Sequence, residues 1–446
     1  MSERIVTTGA PVRVGVVGAG YVGLTTGACL ASLGHDVICA DIDVARVERL
    51  RTGDIPIVEA GLAEVVAEGL SSGRLRFEIG APAAATNTDV VFLCVPTPQG
   101  ADGGADLRYI ETAAAQIGPV LDAGALVVNK STVPVGSTRA VEDVLQRPDV
   151  AVVSNPEFLR EGTAVYDFLH PDRVVIGADD RAAGERLAEL YAGLDAPILI
   201  TDPASAETIK YAANGFLAMK ISFVNAIAAM CEAVGANVDD VVEGIGADNR
   251  IGTAFLKPGP GWGGSCFPKD SRALVKIAAD YGYDFTMMKG VIDVNDEQKR
   301  RMVAKVRRAV GLAPGRGLGG AVVAVLGLTF KAGTDDLRDS PSVTMVNSLL
   351  ASGATVRAYD PTVGVEPVDD KAEALRGVEL VGSVNEAVKG ARVLVIATEW
   401  PEFASIDLAE IATLMAADAV VVDTRNLLDP VAVRAAGLGY DGVGRS

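Results

Sequence analysis

Short runs of β-branched and aliphatic residues alternate with longer segments of helical pattern in the first part of the chain. These runs cover residues 12–17, 36–40, 89–95, 125–129 and 150–153. Continuous apolar runs of this length are typical of strands that are covered on both faces, as in a parallel sheet with helices on each side. The pattern therefore predicts an α/β fold of the doubly wound kind.

A glycine-rich turn follows the first run, and a helical stretch follows the turn. The turn reads Gly18-Ala19-Gly20-Tyr21-Val22-Gly23, and the second run ends at Asp41. Glycines at this spacing allow a tight turn, close approach of the backbone to a pyrophosphate and close packing of the helix. Asp41 lies where an acid would hydrogen-bond a ribose 2′-hydroxyl and would repel a 2′-phosphate. The motif predicts an NAD site and favours NAD over NADP.

Two other runs end in polar loops that contain proline, Pro96-Thr97-Pro98 and Ser131-Thr132-Val133-Pro134. Ligands of open α/β sheets bind beyond the carboxyl ends of the strands. We therefore expect both loops to face the cofactor.

The strand pattern returns near the end of the chain, with runs at 321–327, 355–360, 391–397 and 419–423. This weak internal repeat predicts a second doubly wound domain. At the turn after its first strand, the second copy carries Gly327-Leu328-Thr329-Phe330-Lys331 instead of the three-glycine motif. We expect it to bind a ligand other than the dinucleotide.

A helical segment of residues 204–236 lies between the two copies and is apolar on nearly every side, as buried helices are. The predicted fold class is α/β, with two doubly wound Rossmann-like domains joined by this long central helix, which also forms a subunit contact. The predicted division is an NAD-binding Rossmann domain of residues 1–203, a central helical dimerisation region of residues 204–300 and a second Rossmann-like domain of residues 301–446.

Composition narrows the function classes. The chain of 446 residues has a formal net charge of −18 and contains two histidines and five cysteines. Its acidity disfavours binding to nucleic acid or to an anionic membrane. The few histidines and the absence of a C-x-x-C pair favour neither a metal centre nor a disulfide framework. No apolar run approaches the ~18 residues that cross a bilayer, so we expect a cytoplasmic protein without a metal.

Lys210 and Asn214 lie four residues apart on the predicted central helix, so their side chains project from one face. A lysine in apolar surroundings loses some preference for its charged form, which suits proton transfer or anion stabilisation. A lysine that extends to solvent from the start of a helix fits the same pattern. The spacing alone leaves both interpretations open.

Cys266 differs from the other four cysteines, which lie in segments of helix or strand pattern. It lies in Gly263-Gly264-Ser265-Cys266-Phe267-Pro268-Lys269-Asp270, ahead of a helix predicted to begin near Asp270. A position before a helix N-terminus and near a lysine favours the thiolate. Cys266 is thus the candidate nucleophile, although an inert loop thiol fits the same pattern.

An NAD site combined with an activated thiol indicates a four-electron oxidation. Loss of a hydride from a primary alcohol gives an aldehyde, which a thiol captures as a thiohemiacetal. Loss of a second hydride gives a thioester, and water hydrolyses it to a carboxylate.

These motifs together resemble those of the nucleotide-sugar dehydrogenases, the UDP-glucose/GDP-mannose dehydrogenase family, from Gly18 to about Asn426. Further motifs that carry the resemblance are Val95-Pro96-Thr97-Pro98, Ser131-Thr132-Val133-Pro134-Val135-Gly136, Asn155-Pro156-Glu157-Phe158-Leu159-Arg160-Glu161-Gly162, Lys210-Tyr211-Ala212-Ala213-Asn214 and Phe330-Lys331. The resemblance implies that NAD oxidises the C6 alcohol of UDP-glucose to a carboxylate by way of Cys266. It also implies that the 204–300 region carries the catalytic Cys266 loop, that the 301–446 domain binds the UDP-sugar, and that the chain forms a homodimer or a higher homo-oligomer.

The resemblance assigns site roles that the spacing alone does not. The implied catalytic residues are Cys266, Lys210, Asp270, Thr132, Glu161 and Asn214. The implied cofactor-binding residues are Gly18, Gly20, Tyr21, Val22, Gly23, Asp41, Arg46, Val95, Pro96, Thr97, Thr132 and Arg338. The implied substrate-binding residues are Glu157, Phe158, Leu159, Lys210, Asn214, Arg250, Phe255, Leu256, Lys257, Gly263 and Lys331, and Arg250 matches an arginine that crosses a subunit boundary.

Plainer interpretations stay open for several of these positions. Lys331 fits a surface lysine, Glu157 and Glu161 fit a solvated helical face, and Arg338 fits a local ion pair with the acids before it.

The sugar is also open, because GDP-mannose and UDP-N-acetylhexosamine dehydrogenases share the Gly-Gly-x-Cys core. Phe255-Leu256-Lys257 and residues 294–298 favour the UDP-glucose branch. Two other classes compete. A two-electron dehydrogenase of the hydroxyacid type needs no Cys266, and a non-catalytic sugar-nucleotide sensor has no use for Cys266, Lys210 and Asp270 together.

Overall fold

The computed structural model describes residues 10–100, 104–311, 317–367 and 369–445. The chain forms two compact units, residues 1–213 with 272–282 and residues 214–271 with 283–446. Two helices are shared along the chain by both units: α9 (Pro203–Val234) and α11 (Phe267–Asp280).

The first unit is an eight-stranded sheet with helices on both faces. Its strands are β1 (Arg13–Val17), β2 (Asp36–Asp41), β3 (Leu75–Ile79), β4 (Val90–Leu93), β5 (Leu126–Asn129), β6 (Ala151–Ser154), β7 (Val174–Gly177) and β8 (Ile198–Thr201). Its helices are α1 (Tyr21–Ser32), α2 (Val44–Arg51), α3 (Leu62–Ser71), α4 (Ala81–Ala85), α5 (Arg108–Ile117), α6 (Ser137–Leu145), α7 (Ala164–Leu169) and α8 (Arg181–Glu189), with a 3-10 turn at Gly118–Val120.

The strand order in this sheet is β3-β2-β1-β4-β5-β6-β7-β8. Strands β1 to β6 pair in parallel, which confirms the doubly wound prediction for all five predicted strands. Strands β3, β7 and β8 were not predicted. The pairing of β6 with β7 is antiparallel and consists of one residue pair, so the sheet reverses direction at this edge.

The second unit repeats the pattern with a six-stranded sheet. Its strands are β9 (Val322–Leu326), β10 (Thr355–Tyr359), β11 (Glu379–Leu380), β12 (Val393–Ile396), β13 (Val420–Asp423) and β14 (Gly439–Gly442). Its other helices are α10 (Val238–Gly246), α12 (Thr286–Ala309), α13 (Pro341–Ala351), α14 (Asp369–Ala374), α15 (Val384–Val388), α16 (Leu408–Leu414) and α17 (Pro430–Ala435), with a 3-10 turn at Pro401–Ser405.

The order β11-β10-β9-β12-β13-β14 is that of the first six strands of the other sheet, and every pair is parallel. The two copies also share detail at the first turn. The backbone N–H of Gly18 donates to Ala40 O at 2.7 Å, and that of Gly327 donates to Tyr359 O at 2.8 Å. The internal repeat is thus confirmed in strand order and in hydrogen bonding.

Helix α9 matches the predicted central helix in its bounds but not in its burial. Its exposed residues from position 212 onward are all apolar: Ala212, Phe216, Phe223, Ala226, Met230, Ala233 and Val234. The prediction of a helix buried on nearly every side is therefore wrong for the single chain. Among the described residues, α9 is also the one helix whose length and hydropathy would suffice to cross a membrane, and a core helix of a soluble protein meets the same criterion.

Candidate active site

The glycine turn of the first unit fits a dinucleotide phosphate. Gly18 has φ +100°, and a Cβ there would lie 2.5 Å from Cys94 O, while a Cβ on Gly23 would lie 1.8 Å from Gly18 O. A Cβ on Gly20 would meet nothing within 4 Å. The first and third glycines are thus required by the fold, and the second lies where the backbone faces open space before α1 begins at Tyr21.

Asp41 lies at the end of β2 beside this turn. Its carboxylate accepts hydrogen bonds from Ala19 N at 2.8 Å and Asp43 N at 3.0 Å. The Arg46 guanidinium lies 3.4 Å from Asp41 Oδ2. The acid is therefore held against the glycine turn, as the predicted ribose contact requires.

Tyr21 connects the glycine turn to the loop that carries Glu161. Its hydroxyl donates to Glu59 Oε2, and Glu59 also accepts hydrogen bonds from Gly162 N at 2.6 Å and Ala164 N at 2.8 Å. Burial and the neighbouring Glu59 carboxylate raise the pKa of the Tyr21 hydroxyl well above its ordinary value. Glu59 was not predicted, since it lies in an irregular segment without a motif.

The loops after β4 and β5, which the sequence predicts to face the cofactor, lie side by side. Ser131 Oγ donates to Val95 O at 2.7 Å, and Thr97 Oγ1 donates to Thr132 O at 2.9 Å. Pro96 lies between these contacts. The predicted cofactor-facing residues Val95, Thr97 and Thr132 are thus brought together.

Lys210 forms a buried ion pair with Glu157. The Lys210 side chain is 4% exposed, and its Nζ donates to Glu157 Oε1 at 2.8 Å and to Glu157 O at 2.6 Å. Burial alone would raise the pKa of Glu157, but the Lys210 ammonium and the N–H of Leu159 outweigh it and lower that pKa. Neither side chain lies on a solvated face, so the plainer interpretations are wrong for Lys210 and for Glu157.

Phe158 packs in the same cluster. The Arg173 guanidinium lies 3.7 Å from the centre of its ring, and Lys210 Nζ lies 5.4 Å from it. The Glu157–Leu159 segment is therefore ordered around two cations.

A second buried lysine, Lys130, lies near the Lys210–Glu157 pair and was not predicted from the sequence. Its Nζ donates to Asn155 Oδ1 at 3.0 Å and lies 3.4 Å from the Tyr191 hydroxyl. Burial lowers the pKa of Lys130 to about 8. Asn155 also accepts from Tyr191 and donates to Val175 O, so it fixes the start of the Glu157 loop.

In the second unit, Cys266 is the one cysteine of the five that is not buried. Helix α11 begins at Phe267, directly after Cys266 and three residues earlier than expected. The thiol therefore stands at the start of a helix, where the helix dipole favours a thiolate. Burial raises the pKa of the Cys94 thiol to about 12 and shifts that of Cys29 and Cys39 upward as well.

Asp270 lies in the first turn of α11 and is 1% exposed. Asn214 Nδ2 donates to Asp270 Oδ2 at 2.6 Å, and Lys269 Nζ donates to Asp270 Oδ1 at 2.6 Å. The structure thus brings together two of the predicted catalytic residues, Asn214 and Asp270, and adds Lys269 to them.

Side chains of α9 and α12 hold the loop that leads to Cys266. Trp262 N donates to Asn295 Oδ1 at 2.8 Å, and Asn295 Nδ2 donates back to Trp262 O at 3.0 Å. Gln298 donates to Gly259 O, and Asn225 accepts from Gly259 N. Two residues of the 294–298 segment, Asn295 and Gln298, thus hold the loop in place through hydrogen bonds.

Close packing also requires Gly263 in this loop. A Cβ on Gly263 would lie 2.2 Å from Asp339 O.

The remaining predicted substrate residues lie in the second unit. Phe255 has φ +62°, a conformation that non-glycine residues rarely adopt, while Leu256 is buried and Lys257 is exposed. Lys331 is partly buried, with its Nζ 5.5 Å from the Phe330 ring centre.

Two predicted arginines form local ion pairs. Arg250 is 88% exposed and pairs with Asp248, and Arg338 pairs with Asp336. The local pair that the sequence also allowed for Arg338 is thus present.

Arg425 was missed, although it follows β13 just as the predicted loops follow their strands. Its guanidinium donates to Phe330 O at 2.8 Å and Ala397 O at 2.9 Å and pairs with Glu399. It thereby holds the turn that carries Lys331. The internal repeat could have predicted Arg425, because residues that follow the strands of such a sheet face the ligand.

Three profiles of one family match the chain in order. The NAD binding domain of the UDP-glucose/GDP-mannose dehydrogenase family matches residues 12–195, its central domain matches residues 204–297 and its UDP binding domain matches residues 324–430. The chain belongs to the UDP-glucose/GDP-mannose dehydrogenase family.

Members of this family are similar to the chain over nearly its whole length. UDP-glucose 6-dehydrogenase of Rhizobium meliloti (strain 1021) is 45% identical over 97% of this chain and 99% of its own. UDP-glucose 6-dehydrogenase TuaD of Bacillus subtilis (strain 168) is 42% identical over 97% and 93%. The structure of a UDP-glucose dehydrogenase from Pyrobaculum islandicum has TM-score 0.88 at 39% identity and covers 98% of this chain and 99% of its own.

As in other members of the UDP-glucose/GDP-mannose dehydrogenase family, the cofactor is NAD. The residues of the first unit fit it, because the Gly20 backbone faces open space that leaves room for the pyrophosphate and Asp41 is fixed beside the turn. Among the described residues, no cluster of three or more His, Cys, Asp or Glu side chains could hold a metal ion.

Proposed function

We propose that the protein oxidises the C6 primary alcohol of UDP-glucose to UDP-glucuronate and reduces two NAD per sugar. The observation that carries the proposal is the single accessible thiol, Cys266, at the start of α11 beside the Asp270 cluster. Similarity at 40–45% identity to enzymes named UDP-glucose 6-dehydrogenase supports the choice of sugar.

The reaction has two oxidation steps, and the chain's own residues take part in each. In the first step the alcohol loses a hydride and its hydroxyl proton, and the thiol of Cys266 adds to the resulting aldehyde. In the second step the thiohemiacetal loses a hydride and a proton, and water then cleaves the thioester to a carboxylate and the free thiol. NAD supplies the hydride acceptor in both steps.

Lys210 and Asp270 suit the charge and proton steps. Glu157 compensates the buried Lys210 ammonium, which is therefore a fixed positive charge that stabilises an alkoxide or oxyanion. Asp270, oriented by Asn214 and Lys269, takes part in proton transfer. Thr132 and Glu161 hold the water that attacks the thioester.

Lys331, in the turn that Arg425 holds, binds the anionic part of the sugar nucleotide together with Lys257, and Phe255 contacts the same ligand. Arg250 is free of the core and available to a second subunit. The exposed apolar face of α9 supports a homodimer, since such a face on one helix is typical of an interface.

We place the reaction in the cytoplasm, where NAD and UDP-sugars are supplied.

The test is a panel of nucleotide sugars with NAD, in which the NADH formed per sugar consumed is measured. UDP-glucose should turn over with two NADH per sugar, and GDP-mannose and UDP-N-acetylhexosamines should react more slowly. One NADH per sugar would contradict the four-electron reaction, and faster oxidation of another sugar would contradict the proposed substrate.

A further inference from the structure

Glu207 is a buried carboxylate of α9 to which the sequence analysis gave no role. It is 2% exposed, and it accepts hydrogen bonds from Gly136 N at 2.7 Å, from Thr138 N at 3.0 Å and from Thr138 Oγ1 at 2.8 Å. Both carboxylate oxygens of Glu207 accept hydrogen bonds, and all three donors belong to one short segment.

That segment is the junction between the Thr132 loop and helix α6. The residue before α6 is Gly136, which has φ +96° and no side chain with which to cap the helix. A carboxylate at a helix N-terminus satisfies amides that lack a partner within the helix and interacts favourably with the helix dipole. Glu207 therefore supplies from another helix the cap that α6 cannot supply itself.

The other end of the Thr132 loop is fixed by the sheet. Lys130 N and Ser131 N both donate to Leu93 O, at 3.1 and 3.2 Å. Thr132 itself accepts from Thr97 Oγ1. With Glu207 at its far end, the loop is tied at its start, middle and end.

Glu207 lies one helical turn before Lys210, so the two side chains leave α9 on the same face. Glu207 binds the loop after β5, and Lys210 binds the loop after β6 through Glu157. One rigid helix turn thus holds both loops, and it sets the position of Thr132 relative to the Lys210–Glu157 pair.

We propose that Glu207 is a positioning residue that fixes the Thr132 loop in the geometry needed for NAD. It acts through the Gly136–Thr138 backbone and touches neither substrate nor cofactor. The proposal rests on the proposed function in one respect, namely that Thr132 faces NAD.

The test compares Glu207→Gln with Asp180→Ala. Glutamine keeps the shape but turns one acceptor into a donor against a backbone N–H. Asp180 caps α8 in the same unit by accepting from Ala182 N, so its removal weakens the N-terminus of a different helix. Hydrogen exchange of the amides of residues 131–138, the KM values for NAD and UDP-glucose, and kcat are measured for both variants.

For Glu207→Gln we expect exchange of residues 131–138 to accelerate about tenfold or more and the KM for NAD to rise about tenfold, while the KM for UDP-glucose changes less than twofold. Asp180→Ala should lower the melting temperature without either effect. Thr138→Val, which removes one donor, should change the same quantities in the same direction but less, and it serves if Glu207→Gln does not fold.

Equal changes in both KM values, or a lower melting temperature with unchanged exchange in the loop, would overturn the proposal, as would faster exchange with an unchanged KM for NAD. The NADH count of the unmodified enzyme is measured separately. A count of two alongside any of these results leaves the proposed function intact and rejects the role of Glu207 alone.

Discussion

At the scale of single residues, the first unit buries two lysines in different ways. The Lys210 ammonium is paired with the Glu157 carboxylate. Lys130 instead meets the amide oxygen of Asn155 and the hydroxyl of Tyr191. Uncharged partners compensate desolvation less than a carboxylate does, which explains why burial lowers the pKa of Lys130 from 10.5 to about 8.

The lowered pKa of Lys130 has a consequence for stability. Between pH 8 and 10.5 the folded protein has lost this proton while the unfolded chain still holds it, so this group makes the protein more stable as the pH rises. Relative to Lys130→Met, the free energy of unfolding of the unmodified protein should rise by about 2 to 3 kcal/mol across that window. Urea titrations of both proteins at several pH values measure the difference, and a difference that stays constant with pH contradicts the assignment.

Functional residues could be predicted where a short sequence motif contains them. They could not be predicted where their role depends on a contact to a distant segment of the chain. Cys266, Asp270 and the glycines were predicted because short motifs carry them. Glu59 and Lys130 act through contacts to residues far along the chain, and no local pattern records such contacts.

At the scale of elements, the loop before Cys266 is held by packing that tolerates no added atom at Gly263. Gly263→Ala would drive a methyl group into Asp339 O, 2.2 Å from the Cβ position. We expect this variant to lose most of its activity and several kcal/mol of stability.

Gly244 of α10 provides the matched control, because a Cβ there meets nothing within 4 Å. Gly244→Ala should stabilise the protein by about 1 kcal/mol through helix propensity. Thermal unfolding and activity assays of the pair distinguish packing from a general effect of replacing glycine. Similar behaviour of the two variants would contradict the packing argument.

Strand prediction succeeded for most buried runs and failed mainly at sheet edges, although the buried inner strand β7 was also missed. β4 and β9 are apolar along their length, and β1 is so after Arg13, because helices cover both faces. β3 alternates apolar and polar residues at an edge, and β14 reads Gly-Tyr-Asp-Gly. Backbone pairing rather than side-chain hydrophobicity defines such strands, so composition alone does not reveal them.

At the scale of the whole molecule, the repeat assigns one ligand type to each half. The acid at the end of β2, Asp41, is held by backbone amides beside open space. Its counterpart after β10, Asp360, is buried under donors from Leu328 N, Thr362 and Trp400 Nε1. The second copy thus keeps the backbone arrangement of the dinucleotide turn, but groups of the protein itself already hydrogen-bond its acid, Asp360. This agrees with the prediction that the second copy binds a ligand other than the dinucleotide.

The apolar face of α9 predicts association of the chain. Phe223 is 52% exposed in the middle of that face, so Phe223→Asp should weaken the dimer by placing a charge in its interface. Sedimentation velocity should show dimers for the unmodified protein and a shift to monomers for the variant. Val431→Asp, at an exposed site on α17, is the control, and equal sedimentation of all three proteins would contradict the interface.

The most direct test of the central claim is intact and peptide mass spectrometry of Cys266→Ser after incubation with UDP-glucose and NAD. An oxygen ester is less reactive toward water than a thioester, so we predict an acyl adduct of the UDP-sugar on the peptide containing position 266, with NADH formation that stops after one turnover. An unmodified peptide together with steady turnover would contradict the account.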